Sequence, residues 1–124
     1  ENMRQMIEGR IRKVIDNIIM ANDATYSLEY TSGYPAMHND SALNRLAKAG
    51  AIKILGNEMV IDAPRMTASE DFARYRKIAP SCYLNLSTGP GVANHHPAFN
   101  PDESALINGV KAEVQIILDY LEQK

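Results

Sequence analysis

The sequence predicts an α/β protein, and three observations carry that expectation. Apolar side chains recur at spacings of three and four over residues 3–20, 42–55 and 106–121, the pattern of helices with one buried stripe. Between them lie short runs in which apolar and polar residues alternate, the period of half-buried strands. From residue 40 onward the order reads helix, strand, helix, strand, loop, helix, which is the rhythm of a sheet with helices on its faces.

The first helix carries Met3, Met6, Ile7, Ile11, Val14, Ile15, Ile18 and Ile19 on one stripe, with Arg4, Glu8, Arg12 and Asp16 on the other side. Isoleucine is a mediocre helix former, so packing of that stripe has to supply much of its stability. Asn22-Asp23 is the expected stop. Ala24, Tyr26, Leu28 and Tyr30 then alternate with polar residues as a strand, which the turn-forming run Ser32-Gly33-Tyr34-Pro35 ends. One helix and one strand cannot close a sheet. A linker near residues 32–37 is expected to separate two units.

Asn39-Asp40-Ser41 supplies three N-cap candidates for the next helix. Gly50 lies inside its pattern, and the competing assignment is a break there with residues 52–55 as a strand. One helix to Leu55 is preferred, because Gly56-Asn57 is a C-terminal signal. Met59-Val60-Ile61 is a short expected strand, halted by Pro64. Ser69 is the expected cap of a helix through Ala79, with Glu70 and Asp71 where the helix dipole favours anions. Pro80 stops it. Cys82, Leu84 and Leu86 alternate with Tyr83, Asn85 and Ser87 as another strand. After the loop Gly89-Pro90-Gly91, Asn100 and Pro101 are the expected cap and first position of the last helix.

Composition narrows the function classes. The chain has 124 residues, enough for one modest domain, with 13 Lys+Arg against 15 Asp+Glu and a net charge of −2. That balance provides neither a basic footprint for nucleic acid nor a polybasic membrane patch. No apolar run reaches the roughly 18–20 residues that span a bilayer. The single cysteine, Cys82, forms no internal disulfide, and a cytoplasmic chain is the expectation. The helical pattern is already running at Glu1-Asn2-Met3-Arg4, as expected of a chain cut from something larger.

His95-His96 is the leading candidate for chemistry. The pair occupies a Gly/Pro-rich loop after a strand, where open α/β sheets place ligands, and neutral imidazole is a preferred zinc donor. The alternative is a solvated loop pair. Neighbours in an extended chain point apart, so at most one is a ligand. Glu70-Asp71 is either a wall of a site or a dipole-complementing helix start, and Asn39 is either a site residue or an N-cap. Cys82 is in phase with Leu84 and Leu86 and reads as a small buried residue. A catalytic zinc needs about three protein ligands. This chain has three histidines, two of them adjacent and His38 far off. A catalytic metal at His95 would therefore draw most of its ligands from elsewhere.

Met66-Thr67-Ala68-Ser69-Glu70-Asp71-Phe72, followed by His95-His96-Pro97-Ala98-Phe99-Asn100-Pro101-Asp102-Glu103, resembles the C-terminal part of the metal-dependent amidohydrolase/carboxypeptidase family. That group contains hippurate hydrolases, N-acyl-amino-acid amidohydrolases and auxin-conjugate hydrolases. Gly33-Tyr34-Pro35-Ala36 with Asn39-Asp40 resembles the segment leaving that family's lid domain. The resemblance implies a zinc-peptidase-like three-layer α/β catalytic domain interrupted by an α+β lid that also forms a dimer contact. Residues 1–35 would be the last helix and strand of the lid, and residues 36–124 the C-terminal part of the catalytic domain.

The same resemblance implies two divalent metals, zinc foremost, with manganese, cobalt or nickel in some members. His95, two positions before the proline, would be the last metal ligand. Ser69, Glu70 and Asp71 would line the substrate cleft, with Asn39 contributing from the lid side. The other ligands and the glutamate general base would lie in segments this chain lacks. The implied reaction is hydrolysis of the amide bond of N-acyl amino acids or short peptides by metal-activated water. This chain alone would be inactive, its partners being the missing N-terminal part and a second subunit. Asn94 stands where the family more often has an apolar residue, and the loop at 89–94 is short, both bearing on substrate shape. The competing expectation is a non-enzymatic interaction or oligomerisation module without a metal site.

Overall fold

The computed structural model describes residues 2–123, so Glu1 and Lys124, at the outer ends of the two expected units, lie outside the described residues. Three α-helices organise the chain: α1 (Asn2–Met20), α2 (Ser41–Leu55) and α3 (Leu106–Glu122). Short 3-10 helices occupy Asn57–Met59, Asp71–Lys77 and Glu103–Ala105.

α2 and α3 pack against each other and carry the core. Gly50 lies at their crossing: a β-carbon there would stand 3.0 Å from Ile116 Cγ1 and 3.3 Å from Ile116 Cα. The glycine that weakens the helical pattern is thus what lets the two backbones approach. Ala47, Gly50, Ala112 and Asp119 are buried around this contact, and Ala73 and Ser81 are buried beneath the neighbouring segments. Leu86 presses on α3 from the other flank, where a β-carbon on Gly109 would meet its Cδ2 at 2.9 Å.

The helix boundaries follow local chemistry. Asp40 caps α2, its Oδ1 accepting from the amides of Ala42 at 2.9 Å and Leu43 at 3.0 Å. Gly56, at φ +86°, closes the other end and donates to Ile52 O at 2.9 Å, so the helix runs through Gly50 unbroken. Glu70, not Ser69, caps the segment at 71–77, which is 3-10 rather than α. The last helix begins later than its Asn100-Pro101 signal. Asp102 is held by its own N–H to Thr88 O at 2.9 Å and caps Ser104 at 2.9 Å, so α-geometry starts only at Leu106.

α1 contacts neither α2 nor α3 and buries no side chain. After Asp23 turns the chain at φ +48°, residues 24–33 run back along the helix. Tyr26 donates to Asp16 Oδ1 at 2.6 Å and Arg4 to Gly33 O at 3.2 Å. The face they cover carries Arg4, Glu8, Arg12, Ile15 and Ile19, while Met3, Ile7, Ile11, Val14 and Ile18 stay exposed.

No strand forms among the described residues, which corrects the strands expected at 24–31, 59–61 and 82–87. Residues 24–31 and 82–87 are extended without ladder partners, and residue 59 closes a 3-10 turn that passes into extended chain. Alternation encodes a strand's two faces but not the neighbour that satisfies its backbone, and a sheet needs several strands together. The surface reports the same shortage: a compact monomer of 13.8 kDa exposes about 6,600 Å², and this chain exposes 10439 Å².

Candidate functional site

The acidic turn is built from the residue after it. Phe72 packs its ring between Tyr75, at 5.2 Å between centroids, and Tyr83, at 5.5 Å. This anchors Glu70 and Asp71 at the mouth of the 3-10 helix. Glu70 Oε1 accepts from Phe72 N at 3.3 Å. That bond foremost, then the Tyr83 hydroxyl and Asp71, hold the Glu70 carboxyl below the usual glutamate value. Reciprocally, Glu70 holds the Tyr83 phenol above its ordinary value. Ser69 and Asp71 are exposed and Glu70 is half-buried.

Asn39 reaches this cluster through backbone. Its Oδ1 accepts from Tyr83 N at 2.8 Å, and its Nδ2 donates to Tyr83 O at 2.9 Å and to Asn44 Oδ1 at 3.1 Å. It is not the N-cap of α2, since that cap is Asp40. Asp40 N also donates to Ser81 O at 2.8 Å, so residues 39–40 register the extended chain at 81–83. Cys82 lies between, its Sγ 3.7 Å from Asn44 Oδ1 and its thiol pushed above the ordinary value by burial and then by Asp40. Low reactivity follows.

Two arginines bring the linker to the same place. Arg74 stacks 5.0 Å above the Tyr34 ring, and Arg76 Nη1 donates to Ala36 O at 2.8 Å. Tyr34, Asp71, Arg74 and Tyr75 line an open cavity of about 240 Å³. Sequence patterning missed Tyr83, Arg74 and Arg76 because all three occupy positions that read as outward-facing and polar.

The histidines separate into two roles. Their loop is closed at its base by the Asp102–Thr88 bond, beside Gly89 at φ +94°. His96 is tied down: its Nδ1 accepts from Ala98 N at 3.0 Å and its O accepts from Phe99 N at 2.9 Å. His95 is exposed on left-handed backbone, φ +68°, and its ring nitrogens form no hydrogen bond among the described residues. Non-glycine residues adopt that backbone sparingly. No bond joins His95 to residues 69–71 among the described residues. Nor do three His, Cys, Asp or Glu side chains there converge on a position that could hold a cation. The donor chemistry of His95 fits one place in a coordination sphere, and the described residues gather no further ligands around it.

No helix among the described residues is long and apolar enough to cross a membrane. Comparison with known proteins gives one family and several relatives. The sequence pattern of peptidase family M20/M25/M40 matches residues 3–119. A protein described as a probable hydrolase in Synechocystis sp. is 34% identical over 86% of this chain and 28% of its own length. An N-acetyl-L-cysteine deacetylase of Bacillus subtilis is 33% identical over 85% of this chain and 25% of its own. An IAA-amino acid hydrolase of Arabidopsis thaliana is 24% identical over 93% of this chain and 28% of its own. The chain thus spans between a quarter and a third of the length of these relatives. No solved structure matches.

Proposed function

Because the chain belongs to peptidase family M20/M25/M40, we propose that it is the C-terminal part of a metal-dependent hydrolase that cleaves the amide bond of N-acyl amino acids or short peptides. The observation that carries the reading is the contrast between the two loop histidines, one imidazole committed to Ala98 N and the other with both nitrogens unbonded among the described residues.

In this reading His95, as neutral imidazole, gives one lone pair to a centre whose other ligands, and whose proton-accepting glutamate, come from outside residues 1–124. A divalent metal bound there, zinc foremost with manganese, cobalt or nickel as alternatives and two per site, supplies an activated water and a polarised scissile carbonyl. Ser69 and Asp71 line the cleft and offer oxygen acceptors to the substrate amide N–H. Glu70, fixed by the Phe72 amide, holds the turn's shape, and Asn39 contributes through Tyr83. Residues 1–35 belong to the lid, through which two subunits pair, and residues 36–124 to the three-layer α/β catalytic domain. There the extended segments gain their ladder partners from the remaining polypeptide. The enzyme is cytoplasmic, and residues 1–124 alone are inactive.

The test extends the chain to the length of its relatives and compares His95→Ala with His96→Ala. Hydrolysis of N-acetyl amino acids should fall by a factor on the order of 100 or more for His95→Ala, together with metal content per chain. His96→Ala should keep most of both. Equal loss in the two variants, or none in His95→Ala, overturns the assignment of His95.

A further inference from the structure

We propose that Tyr83 is a positioning residue for the acidic turn and that Asn39 acts through it, so that a chain of contacts from Asn39 to Tyr83 to Phe72 aims Glu70 and Asp71. The inference rests on the reading of residues 69–71 as a wall of the substrate cleft and adds the parts that place it.

The geometry starts at the Asn39 amide. A primary amide carries two N–H donors and one oxygen, and here the donors go to Tyr83 O and Asn44 Oδ1 while the oxygen takes Tyr83 N–H. The two opposed bonds to residue 83, at 2.8 and 2.9 Å, imitate a strand pairing made by a side chain. They fix the position of that residue and the rotation of its peptide groups. Asp40 N to Ser81 O sets the register two residues earlier. With both side-chain donors engaged, Asn39 holds this segment and has no side-chain N–H left for a substrate.

Tyr83 passes the placement on. Its ring lies 5.5 Å from Phe72 at 45°, within the range of tilted aromatic contacts. Phe72 directly follows the two carboxylates, and its amide is the one Glu70 accepts from. Displacing residue 83 would remove one wall of the Phe72 site and the hydroxyl that faces Glu70. No other side chain among the described residues links the 39–44 region to the acidic turn in this way.

The experiment is NMR on the 124-residue chain, without substrate, for wild type, Asn39→Ala, Tyr83→Phe and Tyr83→Ala. It reads Phe72–residue 83 ring contacts, the pH titration of the Glu70 carboxyl, and the Gly50 and Asp119 amide shifts as a control for the helix crossing. Tyr83→Phe should keep the ring contact while the Glu70 midpoint moves up toward the usual glutamate value. Asn39→Ala and Tyr83→Ala should lose the ring contact and move the midpoint up, with the crossing unchanged. An unmoved Glu70 midpoint in Tyr83→Phe overturns the inference, even if the alanine variants fail to fold. So does a retained ring contact with an unmoved midpoint in a folded Asn39→Ala. An extended polypeptide that binds no metal and cleaves no amide, with this coupling intact, counts against the hydrolase reading alone.

Discussion

Lys53 on α2 donates to the Asp119 carboxylate on α3 over 2.7 Å, at the point where the helices cross beside Gly50. Gln115 Nε2 donates to the same oxygen at 2.7 Å. Asp119 is 6% exposed, so its charge persists because both donors meet it there. This small polar cluster, and not a large apolar core, marks the centre of the structure, and the first two predictions follow from it.

Acid should loosen the crossing. The Asp119 carboxyl is held below the ordinary aspartate value by Lys53 foremost and then by Gln115. A carboxyl depressed in the folded state stabilises it above the unfolded value, near about 3.9, and that contribution is lost as pH falls through the lower folded value. Urea midpoints should therefore decline below about pH 4. The decline should be shallower in Asp119→Asn, with the remainder coming from Glu70 and Asp102, which are depressed likewise. An identical slope in the variant would refute the assignment.

Gly50→Val should lower stability by about 1–3 kcal/mol, because overpacking forces two backbones apart. The branched side chain would start from a β-carbon 3.2 Å from Asp119 Oδ2 and 3.3 Å from the Ile116 backbone. Denaturant unfolding measures this directly. A midpoint at or above wild type would mean that the helices do not cross at Gly50.

Removal of the α2 cap has a separable cost. Asp40→Ala deletes the acceptor of two orphan amides while leaving the backbone bond from residue 40 to Ser81 O in place. The expected loss is about 1 kcal/mol. In the same experiment Ser41→Ala should change nothing comparable.

The open stripe of α1 should make the chain self-associate. Met3, Val14 and Ile18 are more than half exposed on a helix that touches neither of the others. Sedimentation should show mass rising with concentration, and Val14→Lys with Ile18→Lys should suppress the rise. Hydrogen exchange should protect the α2–α3 amides far more than those of α1, since an unpacked helix opens readily. A concentration-independent monomer with a protected α1 would overturn this.

Much of this was legible in the residues. The α1 and α2 ranges follow from periodicity with Asp23 and Gly56 as stops, and the family follows from Ser69-Glu70-Asp71-Phe72 with the His95-to-Pro97 run. Within the site, the sequence named Asn39 and Glu70 but not what joins them. Tyr83 reads as the outward member of an alternating strand, and only its placement against Phe72 makes it part of the turn.

The amino-acid order alone determined where α1 and α2 begin and end, because caps, glycines and three-and-four spacings act within one turn of chain. Tertiary structure decided what alternation could not: residues 24–31 and 82–87 stay extended without becoming strands, since a ladder requires a second backbone that local sequence does not specify. It decided likewise that His96 is bound to Ala98 while the His95 ring has no hydrogen bond among the described residues, because two adjacent imidazoles are chemically equal until the loop's dihedral angles give one of them a neighbour.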